Sequence, residues 1–268
     1  ERGMMKKTII LLVIIWALVS CTGDQSNSEP VILRLMTHDS FDISQETINQ
    51  FTEQTGIDVE IFKAGDAGAV VNKAVLSKDD PLADVLFGVD NSFLSRALDS
   101  DIFIPYESGN LAHVDISLRL DPNNGAVPVD FGDVCLNYDK AWFASSELEP
   151  PQNLDDLIDP AYRGLTTVEN PATSSPGLAF LLATISTFGE DGYLDYWQQL
   201  VSNDVLVTDG WEEAYYGAFS AASEGDRPIV VSYASSPPAE VFFAGETLDE
   251  APTAAVVGDG SCFRQIEF

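Results

Sequence analysis

Residues 31–63 read VILRLMTHDSFDISQETINQFTEQTGIDVEIFK, and their periodicity changes twice. Val31–Thr37 and Ile57–Lys63 are short β-like runs, while 44–55 carries apolar Ile48 and Phe51 at helical spacing. Gly56 stands where a helix C-cap would. The stretch therefore predicts strand, amphipathic helix with Ile48 and Phe51 facing inward, strand. The alternation continues: 68–76 reads as helix, 83–89 as a buried strand and 92–100 as helix. A β-α-β-α-β succession predicts an α/β fold with a parallel or mixed sheet flanked by helices.

A second block begins near Val127. Residues 128–138 (PVDFGDVCLNY) read as extended, 154–158 as a short helix, and 164–169 as a strand. Helices follow over 176–188 and 192–200. Strands at 205–208 and 228–233 enclose a helix across 211–219, and a further helix opens at 237–243. The sequence ends on 262–268, an alternating strand. A bare terminal strand leads us to expect further chain beyond it.

The chain has 268 residues, a length that fits two lobes of ordinary size. It has 13 Lys+Arg against 43 Asp+Glu, a net charge of -30. Hydrophobic residues at 45% and charged residues at 21% describe a globular protein, not an acidic disordered one. That excess of carboxylates repels phosphate backbones, so no nucleic-acid partner is expected, whereas a cationic ligand would be attracted. Two histidines (His38, His113) and three cysteines make a His-rich or zinc-ribbon site a poor fit, and no metal or cofactor is expected.

Met5-Lys6-Lys7 followed by the apolar run 8–19 and Ser20-Cys21 has the form of a secretory signal, too short to remain as a membrane span. Leu18-Val19-Ser20-Cys21 resembles a bacterial lipobox, which makes Cys21 the expected lipidation site and first mature residue. Met5 is the expected start. Residues 22–30 (TGDQSNSEP) suit a polar tether. Taking Glu1, Arg2, Lys6 and Lys7 away leaves 10 basic and 42 acidic residues, a net of -32 on the exported part.

Thr173-Ser174-Ser175-Pro176-Gly177 precedes an apolar run, with Ser175 as N-cap and Pro176 at the first helical position. Free N–H groups at such a start suit a phosphate or carboxylate, although a merely well-capped helix reads the same way. Ser235-Ser236-Pro237-Pro238 repeats the device, with Ser236 as cap. Trp211, Tyr215-Tyr216 and Tyr233 sit in polar or glycine-bearing contexts, where π faces can stack on a flat heterocycle or a cation. Core packing is the alternative. Asp39, Asp90 and Asp130 each follow or sit in an extended segment, at the strand ends where open α/β sheets bind ligands; taken singly, an Asp in such a place more often forms a turn or a cap. No GxSxG, HExxH, P-loop or CxxC appears, so no enzyme activity is expected.

Several motifs in fixed order carry a resemblance. They are THDSF (37–41), DVLFGVDNSFLSRAL (84–98), PVDFGDVCLNYDK (128–140), ENPATSSPGLAFLLATI (169–185), DGWEEAYYGAF (209–219) and SYASSPPAE (232–240). Across residues 31–268 the sequence resembles the thiamine-binding proteins of bacterial ABC importers, extracytoplasmic solute-binding proteins. The resemblance implies an α/β, two-lobed periplasmic-binding-protein fold of type II-like, Venus-flytrap form, with the ligand between the lobes. The organisation expected is a signal peptide at 1–20, a lipid-anchored tether at 21–30, lobe 1 at 31–127, lobe 2 at 128–260 and a strand returning to lobe 1 at 261–268. Such proteins continue for several tens of residues beyond this point, so the C-terminal part of lobe 1 is expected to lie outside this sequence.

The implied ligand is thiamine or its phosphates, and the implied partners are ABC permease subunits, with the membrane reached through a lipid anchor. The protein is expected to be a monomer. Trp211, Tyr215 and Tyr233 would contact the two rings. Asp39 with Ser40, Asp90 with Asn91, and Asp130 would face the cationic end. Ser174, Ser175, Gly177 and Ser236 at the helix starts would receive the hydroxyl or phosphate end. Cys135 and Cys262 fall on the strands expected to cross between lobes side by side, which makes a disulfide plausible in an oxidising compartment. Within the same fold class the alternatives are a ferric-ion receptor, using Tyr215-Tyr216, or a polyamine receptor. A thiamine-modifying enzyme is the alternative outside it.

Overall fold

The computed structural model describes residues 30–245, 248–258 and 260–268, so the expected signal and lipidation site at Cys21 lie outside the described residues. Strand β1 (Val31–Thr37) pairs in parallel with β2 (Ile57–Lys63) along its whole length. Between them helix α1 (Gln45–Thr55) is capped by the Ser44 side chain, which accepts from Thr47 N, and ends on Gly56 at φ 71, a left-handed conformation that glycine adopts at little cost. Contrary to the sequence pattern, α1 buries none of its residues, and Phe51 is 38% exposed.

Helix α2 (Ala67–Leu76) does bury a face, with Val70 and Val71 fully enclosed. The strand expected over 83–89 is reduced to β3 (Val85–Leu86), beside Leu35 and Met36 of β1, and Val85 is exposed rather than buried. The reason is a change of partner: beyond Phe87, whose N–H donates to Met36 O, residues Gly88 and Val89 bond to Phe268 instead. Helix α3 (Leu94–Asp99) completes the small first lobe, whose sheet has the order β2-β1-β3. A trough of about 1270 Å³ opens on this lobe, lined in part by Leu86, Phe103 and Ile104.

The second lobe is built on β4 (Asp130–Asp139), β5 (Thr166–Glu169), β6 (Leu206–Thr208), β7 (Ile229–Tyr233), β8 (Thr253–Val256) and β9 (Cys262–Glu267). Its order is β6-β5-β7-β4-β8, with β9 also on β4. Two of its elements went unread in the sequence: β8, and helix α4 (Lys140–Ser145), which the Asp139 carboxylate caps through the N–H groups of Ala141 and Trp142. Helix α5 (Ser175–Ser202) breaks at Gly189, which matches two sequence-predicted helices lying end to end. It begins at Ser175 with Ser174 as the flanking residue, one position earlier than the sequence suggested. The shift recurs at α7 (Ser236–Ala244), where Ser235 is the flanking residue. Between β6 and β7, helix α6 (Trp211–Glu213) widens into a π-helical turn at Ala214–Ala218. Leu136, Val168, Ile229, Val231, Phe180 and Leu200 form the core of this lobe.

β9 joins the lobes. It runs antiparallel to β4 from Cys135↔Cys262 to Asp130↔Glu267. Past its end, Phe268 N donates to Val89 O, and Asn91 N donates to Ile266 O. Cys135 and Cys262 are bonded as a disulfide on this crossing pair.

Candidate ligand-binding site

A cavity of about 330 Å³ lies between the lobes, at the carboxyl ends of the parallel strands. Its floor follows from strand periodicity. Asp130 and Gly132 of β4 share a face, as do Gln265 and Glu267 of β9, and register places Asp130 opposite Glu267 and Gly132 opposite Gln265. All four line the cavity. The first lobe supplies His38 and Ser40 from the turn after β1, and Asp66 from the turn after β2. The second supplies Ser175 and Pro176 at the start of α5, Trp211 after β6, and Tyr233 with Ser235 after β7.

Trp211 is held on every side. Its ring stacks on Tyr215 at 5.0 Å and 24°, meets Tyr216 edge-on, and lies 6.2 Å from Tyr233. Its Nε1 donates to Ser232 Oγ at 2.9 Å. Stacked on Tyr215, Trp211 is among the residues that line the cavity. The π-helical turn supports this arrangement by placing Tyr215 beneath the ring, a local widening often found at functional sites.

The lobes touch at the rim. Asp66 caps α2 through Ala67 N–H, and its Oδ2 accepts from Trp211 N–H at 2.9 Å across the cleft. Gly68 N donates to Thr173 O at 2.9 Å. A Cβ on Gly68 would stand 2.8 Å from that oxygen and 2.8 Å from Phe93 Cζ, so this approach requires glycine. Gly68→Ala is therefore expected to hold the lobes apart, giving a larger radius of gyration than wild type in small-angle scattering. An unchanged radius would show that the 172–173 loop gives way instead.

Acidic groups dominate the electrostatics. Burial, then the facing Glu267, push the Asp130 carboxyl up to about 6, partly offset by His38. His38 Nε2 lies 3.1 Å from Glu267 Oε1. Burial, reinforced by the charges of Asp66, Glu267 and Asp90, raises the Tyr233 hydroxyl well above its usual range, so it stays a neutral donor.

Of the residues singled out in the sequence, the cavity brings together Ser40, Asp130, Ser175, Trp211 and Tyr233. The others stand behind it, each for a visible reason. Asp39 turns to the β2–α2 connection, where Oδ1 accepts from Gly65 N. Asp90 is fully buried, and its Oδ1 accepts from the N–H groups of Ser92 and Phe93 and from Ser92 Oγ, so it closes the turn that leads into α3. Asn91 ties α3's approach to β9 through Arg264 O and Ile266 N. Ser174 and Gly177 are buried within the α5 start, Gly177 against the Glu169 carbonyl. Tyr215 directs its hydroxyl to Glu240, away from the cavity. Ser236 Oγ pairs with Ser232 and accepts from Tyr233 N.

Sequence reading passed over His38, Asp66, Gln265 and Glu267. Only the last pair had a legible signal, the i, i+2 spacing of polar residues on the final strand.

The sequence profile of the bacterial extracellular solute-binding proteins matches residues 80–240, more than half of the chain. The chain belongs to this family. Among relatives of this solute-binding protein, the thiamine-binding periplasmic protein of Brucella abortus biovar 1 (strain 9-941) is 32% identical over 218 residues, covering 76% of this chain and 59% of the relative. That of Escherichia coli (strain K12) is 30% identical over 239 residues, covering 87% and 67%. A solved periplasmic thiamin binding protein superposes with a TM-score of 0.70 at 27% identity, covering 88% of this chain and 71% of that one. The chain thus spans roughly three fifths to two thirds of the length of these curated relatives.

Proposed function

We propose that the protein is a non-enzymatic receptor that binds thiamine, or a phosphate ester of it, in the interlobe cleft outside the cytoplasm. It then delivers the ligand to the permease of an ABC importer. One observation carries the reading: the same cavity is lined by Trp211, whose ring is fixed by Tyr215, and by the carboxylates of Asp66, Asp130 and Glu267. A flat aromatic cation is the ligand that uses both. The names of the relatives supply the same ligand. Lobes at 31–127 and 128–260 with a return strand at 261–268, anchorage through a lipid on Cys21 and a monomeric state belong to this proposal. Binding would shift an open–closed equilibrium, because both lobes contribute contacts.

The ferric reading loses its ligands. Tyr215 is tied to Glu240, and Tyr216 is 60% exposed. Among the described residues no group of three or more His, Cys, Asp or Glu is placed to hold a metal. A thiol-dependent enzyme loses its nucleophile, since Cys135 and Cys262 are bonded to each other. A polyamine would use the carboxylates but leave the indole unused. Tryptophan emission separates the cases: thiamine is expected to quench it saturably, with spermidine and ferric salt giving no saturable change. A saturable response to either of those alone would contradict the assignment.

Asp130 also sets a pH dependence. Its charge is lost as pH falls through about 6, so affinity for a cationic ligand is expected to fall about tenfold between pH 7.5 and 5. Asp130→Asn should flatten that profile. A profile equally steep in the variant would place the titrating group elsewhere.

A further inference from the structure

An aromatic ring that stacks on a ligand works only if it is held in place, to within about half an ångström, by side chains that are themselves fixed. Helix α7 supplies that hold for Trp211 from behind the cleft wall. Ser236 and Glu240 are four residues apart on it and so share a face. Ser236 Oγ bonds Ser232 Oγ at 2.9 Å, and Ser232 Oγ accepts from Trp211 Nε1. One turn on, Glu240 Oε1 accepts the Tyr215 hydroxyl. The other carboxylate oxygen, Oε2, accepts from Thr253 Oγ1 at 2.7 Å. Thr253 is 2% exposed and belongs to β8, which pairs with β4 in the sheet. Glu240 is therefore anchored to the sheet on one side and grips the phenol on the other.

Tyr215 passes this hold to the indole. It is 3% exposed, packed with Ala214, Phe219 and Val230, and its ring stacks on Trp211 at 5.0 Å. Burial, then the bond to Glu240, keep its hydroxyl a neutral donor far above its usual range. Without the carboxylate, Thr253 remains as partner to that hydroxyl, one neutral bond in place of a charge-assisted one. Glu240 itself is not among the residues lining the cavity.

Resting on the function proposed above, we infer that Glu240 is a positioning residue for ligand binding, which sets the plane of the Trp211 indole through Tyr215. Its charge need not reach the ligand, so Glu240→Gln, which still accepts from the phenol and can donate to Thr253 Oγ1, is expected to bind as wild type does. The test is calorimetric titration of the full-length protein with thiamine, with thermal melts alongside, in Glu240→Ala, Glu240→Gln, Trp211→Ala and the double variant Trp211→Ala/Glu240→Ala. Glu240→Ala is expected to lose about fivefold in affinity, Glu240→Gln less than about twofold, and the double variant no more than Trp211→Ala alone. A merely structural role would weaken binding by the same factor with or without the indole, and that result would overturn the inference. So would wild-type affinity in Glu240→Ala, or a glutamine variant as weak as the alanine one. Should Glu240→Ala fail to fold, Tyr215→Phe, which deletes only the hydroxyl, takes its place in the same cycle with the same expected outcome. Trp211→Ala binding as tightly as wild type would remove the ring on which both readings stand, and wild type without saturable binding would overturn the receptor reading and this inference with it.

Discussion

Trp211→Ala is expected to weaken thiamine binding about a hundredfold while leaving the fold in place. The indole is the largest aromatic side chain lining the cleft, and stacking on a flat cation contributes about 2 to 3 kcal/mol in total. The backbone N–H that Asp66 accepts survives in alanine, so the contact between lobes is retained. Trp211→Phe separates the ring from its anchoring: it keeps a π face but loses the Nε1–Ser232 hydrogen bond, and an intermediate loss is expected. Affinities read by calorimetry, with thermal melts as the control for folding, check both. A loss of less than about threefold in Trp211→Ala would remove the indole from the binding surface.

The second large effect concerns Cys135–Cys262. The bond closes a segment of 127 residues that contains nearly the whole second lobe. By chain entropy alone, opening it frees the unfolded state by about 4 to 5 kcal/mol. The double substitution to serine is therefore expected to lower the melting midpoint by roughly 10 °C. It staples the start of β9 to β4, at the end remote from Phe268, where the chain bonds to Val89 in the first lobe. Thiol labelling under denaturing conditions should find these two cysteines reactive only after reduction. Equal melting midpoints for oxidised and reduced protein would contradict the stabilising role.

Much of the frame is legible because local signals agree with the tertiary outcome. Ser44 and Gly56 bracket α1 as their types suggest, and β1 and β2 have the predicted bounds. The start of α5 is visible from Ser-Pro before an apolar run, though displaced by one residue. Legibility fails where meaning depends on what lies opposite. Phe51 has helical spacing, yet α1 rests on β2 so shallowly that Phe51 stays 38% exposed and no residue of the helix is buried. Asp90 and Asp130 looked alike as carboxylates beside strands. The D-N-S-F sequence lets Asp90 bond its own following N–H groups, whereas Asp130 stands on the cleft face of β4 and pairs with Glu267 across the strands. Asp66, the carboxylate that touches both lobes, sits in an ordinary GDAG turn whose importance arises only when Trp211 is brought to it.

The central claim is that a flat cation is held between Trp211 and the carboxylates of the cleft. Calorimetric titration of the full-length protein with thiamine tests it most directly. The expected result is saturable binding at one site per chain, with a dissociation constant well below 1 mM, a limit that corresponds to only about 4 kcal/mol. Absence of saturable heat up to that concentration would contradict it.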